Sequence, residues 1–486
     1  MRLKLMGRNY FTAQDLEGWA KEDPPRLLEA ALIQIGQLQT RSGQLQDARA
    51  QIKAKDERIA ELETLLEKAL SASLRQAAPF RVPEAKRTAE PKRPGRKAGH
   101  PGACRARPAQ IDEEITVELA ACPHCGECRW TEQNEVEQFI EDIPVLQPRV
   151  TRLRTYEATC AGCGQRTCSR HPMQVSEAAG AAGVHLGARA LAIAADLNKA
   201  KGLSMRKTCA VLQDHLGLRL TPGGLSQALC RVARKVQPQY LQIRDELLKA
   251  PAVHVDETSW WVGGRFRWLW VFTHPKATFY LITESRGRTV LETVLGKVFP
   301  GVLVSDCLST YDLEECVQQK CYAHHLKAIG RAKEIHPEKG EGYLTQIGAL
   351  LKRALTLGEE KTSGSLQNSE FLQQRQLLES EAKALLNTEP REQASEESVR
   401  LRLAKQLDHL FVFLDYEGVA ATNNLAERQL RPAVIARKIS CGNKTRAGAD
   451  AFQSLASLAA TCAQIGSSFI QRIAAAVLFN SSQIRR

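Results

Sequence analysis

Three acidic side chains in the second half of the chain could bind a divalent cation together. Asp256 ends the β-like run Ala252–Asp256, Asp306 ends the run Val302–Asp306, and Glu427 lies in a helix-like stretch, TNNLAERQLRP. Two strand ends and one helix can bring three carboxylates to one point, where their repulsion requires a compensating divalent cation. This pattern is typical of metal-dependent phosphoryl-transfer sites.

Each of the three carboxylates also has a structural interpretation. Asp256 could be a strand-end residue satisfied by Thr258, or a helix cap. Asp306 could cap a turn that follows it, and Glu427 could pair with Arg431 four residues later on an exposed helical face. Their joint occurrence in this order, together with the basic charge and the cysteine pairs described below, favours metal binding.

Two Cys-x-x-Cys pairs, Cys122–Cys125 and Cys160–Cys163, predict a second metal site of a different kind. Four thiolates match the tetrahedral ligand set that zinc prefers, and they leave no open position for chemistry, so we expect a structural zinc. The alternative is two chance pairs of reduced cysteines. Other nearby residues are possible substitute ligands: Cys104, Cys128, Cys168, His124 and His171.

The segments that separate these cysteine pairs have the alternation of β-strands. Glu135–Ile143 and Arg149–Thr159 are the two strand candidates. With the cysteines they predict a zinc-ribbon-like module, although the gap of 34 residues between the pairs exceeds the usual spacing.

Length, composition and charge limit the class of protein. A chain of 486 residues with 43% hydrophobic residues predicts three or four domains with a real core. A net charge of +13 and a pI of about 9.1 favour a polyanionic partner, nucleic acid first. The sequence has no apolar run of about 18 residues and no signal-peptide pattern, so we expect no membrane span and a cytoplasmic, nucleoid-associated protein with reduced cysteines.

The N-terminal quarter predicts a long helix and a basic linker. Residues 25–72 carry an apolar residue at every seventh position, which favours a coiled coil and a dimer. The alternative is a solvated helix that packs on its own domain. The heptad column is Leu38, Leu45, Ile52, Ile59 and Leu66. Residues 73–110 are rich in Lys, Arg, Pro and Gly, which predicts a flexible linker that either lies along DNA or is only a soluble tether.

Residues 176–250 read as helical. Ser204–Leu216 and Gly224–Val236 flank a break and resemble a helix-turn-helix, in which Arg206, Lys207 and Arg231 could contact DNA phosphates. The alternative is a helical bundle that braces the next domain.

Residues 251–325 predict strands and helices in the order β-β-β-α-β-α-β, close to that of a ribonuclease-H-like sheet. The first three strands are Ala252–Asp256, Phe266–Thr273 and Thr278–Glu284, and the helix Arg288–Val298 follows. Residues 326–413 turn helical and charged, which we interpret as a helical insertion. Before this insertion the sequence predicts two more strands, Gly301–Val304 and Gln319–Tyr322. After it, the helices Asn424–Leu430 and Ala447–Ile465 return to the sheet.

At these motifs most of the chain resembles the DDE transposases of the bacterial insertion sequence 66 family. The resemblance covers the heptad helix, GRKAGHPG, the four-cysteine segment, HVDET, the SDxxxxY motif that contains Asp306, CYAHH and TNNLAERQLRP. It implies a multidomain α+β protein with a ribonuclease-H-like α/β catalytic core that is interrupted by a helical insertion. It also implies DNA transposition as the activity and accessory proteins of the same element as partners.

The chemistry of that activity assigns roles to the three carboxylates. Strand cleavage and joining use in-line attack on phosphorus, and two Mg²⁺ (or Mn²⁺) ions about 4 Å apart stabilise the attacking and leaving oxygens. We expect Asp256 to bridge the two ions, Asp306 to bind one and Glu427 the other. DNA, as the terminal repeats of the element and as the target, is the expected substrate.

Further residues are candidates for support. His254 lies on the same strand face as Asp256, where it either tunes the site or is a core histidine. Cys321 and His324 form a Cys-x-x-His pair that could orient the Asp306 loop, although His325 makes the choice of histidine ambiguous. The alternative is a second zinc site, for which the sequence indicates no further ligands. Basic residues near Glu427 could bind DNA or form a solvated face: Arg428, Arg431, Arg437, Lys438, Lys444 and Arg446. Asn423 and Asn424 could cap the Glu427 helix or contact DNA.

The sequence therefore predicts a DDE transposase, as a homodimer or higher oligomer. A catalytically inactive, domesticated transposase that regulates DNA is one alternative, and a nuclease that cuts without joining is another. The expected segments are a coiled-coil helix (25–72), a basic linker (73–110), a zinc-binding module (111–175), a helix-turn-helix-like region (176–250), the first part of the core (251–325), the insertion (326–415) and the helices that complete the core (416–486).

Overall fold

The computed structural model describes residues 17–18, 20, 23–74, 99–100, 102, 105–169, 171–174, 183–312, 316–335 and 342–479. The chain divides into two compact units, residues 1–139 and 140–486. Most of the predicted basic linker lies outside the described residues.

Helix α1 (Pro24–Leu74) dominates the first unit. Its 51 residues would span about 77 Å at 1.5 Å per residue. The helix agrees with the predicted 25–72 element, and the heptad side chains Leu38, Leu45 and Ile52 are 65%, 62% and 58% exposed. A helix packed on its own domain would bury this column, so the exposure argues against that alternative, and pairing into a coiled coil stays a prediction.

The zinc-ribbon strands are mostly wrong. Residues 133–156 have no regular secondary structure, so Glu135–Ile143 is not a strand. Of the second candidate only β1 (Glu157–Thr159) forms, antiparallel to β2 (Arg166–Cys168). An alternating pattern makes a strand only where a partner accepts its backbone hydrogen bonds, and here the apolar side chains, such as Ile140 at 91% exposure, remain in solvent.

Five helices or helical segments precede the central sheet of the second unit. Ser204 and Thr221 cap α3 and α4 through their side-chain oxygens, which explains where those helices begin. The bounds are α2 (Ala188–Ala195), continued by a π-helical turn (Asp196–Ala200), α3 (Met205–Leu216), α4 (Pro222–Lys235) and α5 (Gln237–Leu247).

The central sheet has five strands in the order β5-β4-β3-β6-β7. The first three chain segments pair antiparallel, and β6 and β7 add in parallel beside β3. The predicted strands and the helix α6 are confirmed, with shifted ends. Their bounds are β3 (Ala252–Val262), β4 (Arg265–His274), β5 (Ala277–Thr283), α6 (Arg288–Leu295), β6 (Val302–Ser305) and β7 (Val317–Lys320).

Eight further helices follow the sheet. The segment after β7 is helical as predicted, and it has an apolar cluster of its own that includes Leu351, Ala354 and Leu403. The bounds are α7 (Tyr322–Ile335), α8 (Tyr343–Ser363), α9 (Asn368–Leu386), α10 (Ala394–Lys405), α11 (Val412–Asp415), α12 (Asn424–Ser440), α13 (Arg446–Gln464) and α14 (Phe469–Phe479). None of the described helices is long and apolar enough to cross a membrane.

Helix α13 covers the free edge of the sheet by an unusual means. The side chains of Gln453, Ser457 and Thr461, four residues apart, accept the N–H groups of Ile282, Tyr280 and Thr278 at 2.8–3.0 Å. An uncovered edge strand would leave these donors without partners or open to another chain. Polar residues that look unsuited to a buried helix therefore complete the sheet.

Candidate functional site

Strand pairing places two of the predicted carboxylates side by side. β3 and β6 are parallel, with His254 opposite Val304. The same register, extended by two residues, puts Asp256, in the middle of β3, beside Asp306, which directly follows β6. Because side chains alternate along a strand, His254 and Asp256 lie on the face opposite to Val253 and Val255.

Asp256 is a half-buried carboxylate in a negative environment. Its Oδ1 accepts the N–H of Glu257 at 2.8 Å. Burial, together with the negative charges of Glu257, Asp306 and Glu427, raises the pKa of Asp256 to about 7, although the hydrogen bond from the Glu257 N–H acts in the opposite direction. The electrostatic interaction with both other candidates means that the fold brings all three acids into one neighbourhood, where a divalent cation would relieve the repulsion.

Asp306 begins the loop after β6, where its Oδ1 accepts the N–H of Leu308 at 2.9 Å. The turn-capping interpretation of this residue is thus correct for one oxygen. Behind the loop, Lys320 is fully buried, lies 3.3 Å from Ser305 Oγ and forms an ion pair of 3.0 Å with Asp312. Such a paired, buried lysine fixes the shape of the loop that presents Asp306.

Asn423 fixes the helix that presents Glu427. Its side-chain Nδ2 donates to the carbonyl of Val255 at 2.8 Å, and its Oδ1 lies 3.2 Å from His254 Nδ1. Its backbone N–H points at Cys321 Sγ, 3.1 Å away. Asn423 occupies the N-cap position, but its side chain makes no capping bond, so the predicted side-chain cap is wrong. Since this side chain binds the strand instead, it holds the first turn of α12, with Glu427, against β3.

His254 is a core histidine. It is 4% exposed, and burial lowers its pKa to about 4 although the hydrogen bond with Asn423 acts in the opposite direction. The ring is therefore neutral near pH 7, and it orients Asn423 without bringing a charge to the carboxylates.

The Cys-x-x-His pair lies beside Glu427. One ligand atom from each of Cys321, His324 and Glu427 falls within 4.8 Å of the others. The hydrogen bond with Cys321 raises the pKa of His324, against the effect of burial, and the charges of Asp306 and Glu427 raise it further. Burial alone would raise the pKa of the Cys321 thiol, but the hydrogen bonds from His324 and Asn423 outweigh it and lower the pKa.

The adjacent histidine belongs to another contact. His325 is 1% exposed, its Nε2 lies 3.5 Å from Cys307 Sγ, and burial lowers its pKa to about 3. The ambiguity between the two histidines is thereby resolved in favour of His324 as the partner of Cys321.

Glu257 is a buried acid that the sequence interpretation missed. Its side chain is 3% exposed and pairs with Arg286 at 2.5 Å, and Arg286 in turn lies 4.5 Å from the centre of the Trp268 ring. Burial raises the pKa of Glu257, the bond with Arg286 lowers it, and Asp306 raises it again. The signal in the sequence was its position directly after Asp256, which puts its side chain on the opposite face of β3.

The two Cys-x-x-Cys segments form turns of the same design. In the first, Gly126 N–H donates to Cys122 O and Cys122 N–H donates to Glu127 O; in the second, Gly164 and Cys160 repeat both bonds. Both glycines have positive φ, 77° and 68°. Backbone N–H groups inside the turns lower the pKa of Cys122 and of Cys160, which favours the thiolate that a metal requires.

The DNA-binding candidates fall into two groups. Arg206, Lys207, Arg428, Arg431 and Lys438 are exposed, whereas Arg231 is half-buried on α4. Two other basic residues are already engaged in the fold. Arg437 donates to Thr258 Oγ1 at 2.9 Å and to the backbone oxygen of Ser259, and Arg446 donates to the backbone oxygen of Ile282 in β5 at 3.3 Å. These two tie helices in place and are poor candidates for phosphate binding.

The carboxylate donors suit a hard divalent cation. Asp256, Asp306 and Glu427 offer only oxygen ligands, and the nearby charges that act on Asp256 are all negative. Oxygen ligands are what Mg²⁺ and Mn²⁺ select in proteins. The residues present therefore fit such an ion.

Comparison with known proteins gives one assignment. A family described as Transposase IS66 family matches residues 183–451, which is more than half of the chain and contains all three carboxylates. A search of curated proteins finds no match.

Proposed function

Because the chain belongs to the IS66 family of transposases, we propose that it catalyses divalent-metal-dependent cleavage and strand transfer of the DNA ends of an insertion sequence. The observation that supports this proposal is geometric: the parallel register of β3 and β6 puts Asp256 beside Asp306, and the Asn423–Val255 hydrogen bond holds the first turn of α12, which carries Glu427, against β3. The sheet order, with three antiparallel strands and two parallel ones beside the first, supports a ribonuclease-H-like core.

In this proposal Asp256, Asp306 and Glu427 would hold the divalent ions, Mg²⁺ or Mn²⁺. The ions supply electrostatic stabilisation of the attacking and leaving oxygens. The chain supplies the positions: Asn423 and Arg437 hold α12 on β3, and the Lys320–Asp312 pair holds the Asp306 loop. A protein nucleophile is not required.

Zinc and the oligomer are separate parts of the proposal. We propose that Cys122, Cys125, Cys160 and Cys163 bind a structural Zn²⁺, which the matching turns and the lowered thiol pKa of Cys122 and Cys160 support.

We propose that α1 pairs with a second copy through its exposed heptad column, since a solvent-exposed apolar stripe on a lone helix is unfavourable.

Contact with DNA is proposed for the exposed basic residues Arg206, Lys207, Arg428, Arg431 and Lys438, with a smaller role for the half-buried Arg231. Substitution of one phosphate-binding residue should weaken binding to all sequences about equally and lower the salt dependence.

The test is a joining reaction with pre-cut element ends, a supercoiled plasmid and Mg²⁺. The proposal expects joined products with the wild-type chain and none with Asp306→Asn, while both bind the ends equally. Cleavage of uncut ends without joining would identify a nuclease instead. Binding of the ends with neither reaction would identify an inactive regulator.

A further inference from the structure

Two helix starts meet at a ligand set that differs from the carboxylate site beside it. Cys321 directly precedes α7, His324 lies in the first turn of α7, and Glu427 lies in the first turn of α12. Their ligand atoms are within 4.8 Å of one another. Positive helix ends favour both the thiolate and the carboxylate form.

The donor types select a different cation from the one that the carboxylates select. Thiolate and imidazole are ligands of Zn²⁺ and similar thiophilic ions, whereas Mg²⁺ takes oxygen ligands. Three protein ligands of mixed type with one position left open are typical of zinc sites that keep a water molecule.

Two features indicate a built site. His324 Nδ1 is buried and has no hydrogen-bond partner among the described residues, so the ring still carries an unsatisfied polar atom. The Asn423 N–H holds Cys321 Sγ from the other side at 3.1 Å. Outer-shell hydrogen bonds of this kind orient metal ligands.

We propose that Cys321, His324 and Glu427 bind a thiophilic divalent cation of the Zn²⁺ class. The site uses a Glu427 oxygen that the Mg²⁺ centre also needs, so its occupation by Zn²⁺ inhibits DNA joining. The binding site stands independently of the proposed function, whereas the inhibition rests on it.

The binding test uses Co²⁺ as a probe on the full chain, without DNA. The wild-type chain is compared with Cys321→Ser and with Cys230→Ser, a matched control whose thiol donates to Ala447 O, a contact that serine can also make. Serine at position 321 can still accept the Asn423 N–H, and circular dichroism checks the fold of each variant.

The expected result is that Cys321→Ser binds about one Co²⁺ fewer per chain and loses part of the thiolate-to-cobalt absorption, while Cys230→Ser matches the wild type. Removal of a direct ligand should weaken binding at least about tenfold, since loss of an outer-shell partner alone costs about 10–100-fold. Equal metal content and equal spectra in the wild type and Cys321→Ser would overturn the site. His324→Ala provides a second test that is independent of the thiol.

The inhibition test adds Zn²⁺ to the Mg²⁺-dependent joining reaction. We expect Zn²⁺ to inhibit the wild type at concentrations that leave His324→Ala active relative to its own zinc-free rate. Equal inhibition of the two proteins by Zn²⁺ would show that this site does not compete with the Mg²⁺ centre, whereas the proposed metal site itself would still rest on the Co²⁺ measurement. If no chain joins DNA at all, the proposed function fails, and the Co²⁺ measurement still decides the site.

Discussion

The two faces of strand β3 have different roles: one packs in the hydrophobic core, and the other carries the candidate site. On one face, which we call the apolar face, Val253 and Val255 are fully buried against the helices before and after the sheet. On the other, which we call the polar face, His254 and Asp256 meet Asn423 and the neighbouring acids. Because side chains alternate along the strand, the half-buried, mutually repelling carboxylates lie on the opposite face of β3 from the hydrophobic core.

The apolar face contributes stability, whereas the polar face carries the residues proposed for the chemistry. Burial of apolar side chains stabilises the fold by roughly 25 cal/mol for each Å² removed from water. A buried carboxylate among other carboxylates is unfavourable until a cation arrives. Substitutions on the apolar face should therefore reduce stability, whereas substitutions on the polar face should reduce activity.

The largest expected effect comes from Asp256→Asn. If Asp256 is a metal ligand as proposed, its loss removes several kcal/mol of transition-state stabilisation, and the joining rate should fall by at least about 1000-fold. End binding, measured by gel shift, should remain, and without metal the variant should be more stable than the wild type near pH 7, because it carries no charge at this position. Asp245→Asn on α5, an exposed acid that pairs with Arg244, is the control and should join at the wild-type rate. Joining by Asp256→Asn would remove this residue from the mechanism.

Leu303→Ala should show the reverse pattern. Leu303 is fully buried in β6 next to Val253, and a cavity at such a position costs about 2–5 kcal/mol of unfolding free energy. Denaturant unfolding measures this loss, and Leu377→Ala, at an exposed site on α9, should change little. A large loss of joining with unchanged stability would contradict the division between the faces.

The pKa of Asp256 predicts a pH dependence of stability without metal. Because the pKa is raised from 3.8 to about 7 in the folded chain, the folded state binds this proton more tightly than the unfolded state. The contribution to stability is complete below about pH 4 and is lost as the pH rises through 7, by up to about 4 kcal/mol. Asp256→Asn should therefore gain on the wild type as the pH rises from 4 to 8. A difference in unfolding free energy between the two proteins that does not change with pH would contradict this. Bound Mn²⁺ should reduce the loss of wild-type stability at high pH.

Asn423→Ala should reduce both the stability of the fold and the metal affinity of the site, each to a smaller extent than the changes above. The loss leaves the Val255 carbonyl and the His254 ring without their partner, which costs about 1–3 kcal/mol. The same change frees the first turn of α12, so metal affinity, measured by calorimetry with Mn²⁺, should fall by about 10–100-fold. The exposed neighbour in Asn424→Ala is the matched control. Equal behaviour of the two variants would show that Asn423 does not position Glu427.

The sequence predicted the strand ends well because buried β-branched runs and the acids that end them are local signals. It stopped β3 at Asp256, whereas the strand continues to Val262. The extension depends on antiparallel pairing with β4 across the turn of Gly263 and Gly264, both at positive φ. The partner strand is close in the chain, but the polar run Glu257–Ser259 is recognised as strand only once its pairing with Trp268–Trp270 is known.

The side-chain contacts that hold the site were harder to predict. Asn423 was expected either to cap the Glu427 helix or to contact DNA, and the polar residues Gln453, Ser457 and Thr461 on α13 gave no sign that they complete a sheet edge. Both depend on partners more than 150 residues away in the chain. The wrong strand at Glu135–Ile143 has the opposite cause, since its alternating pattern found no partner strand.

The most direct test of the central claim is the location of Mn²⁺ by anomalous X-ray scattering in crystals of the full chain. We predict manganese between Asp256, Asp306 and Glu427, with carboxylate oxygens from all three residues at about 2.1 Å from a metal ion. Manganese bound elsewhere, with any one of these side chains turned away from the other two, would contradict the account.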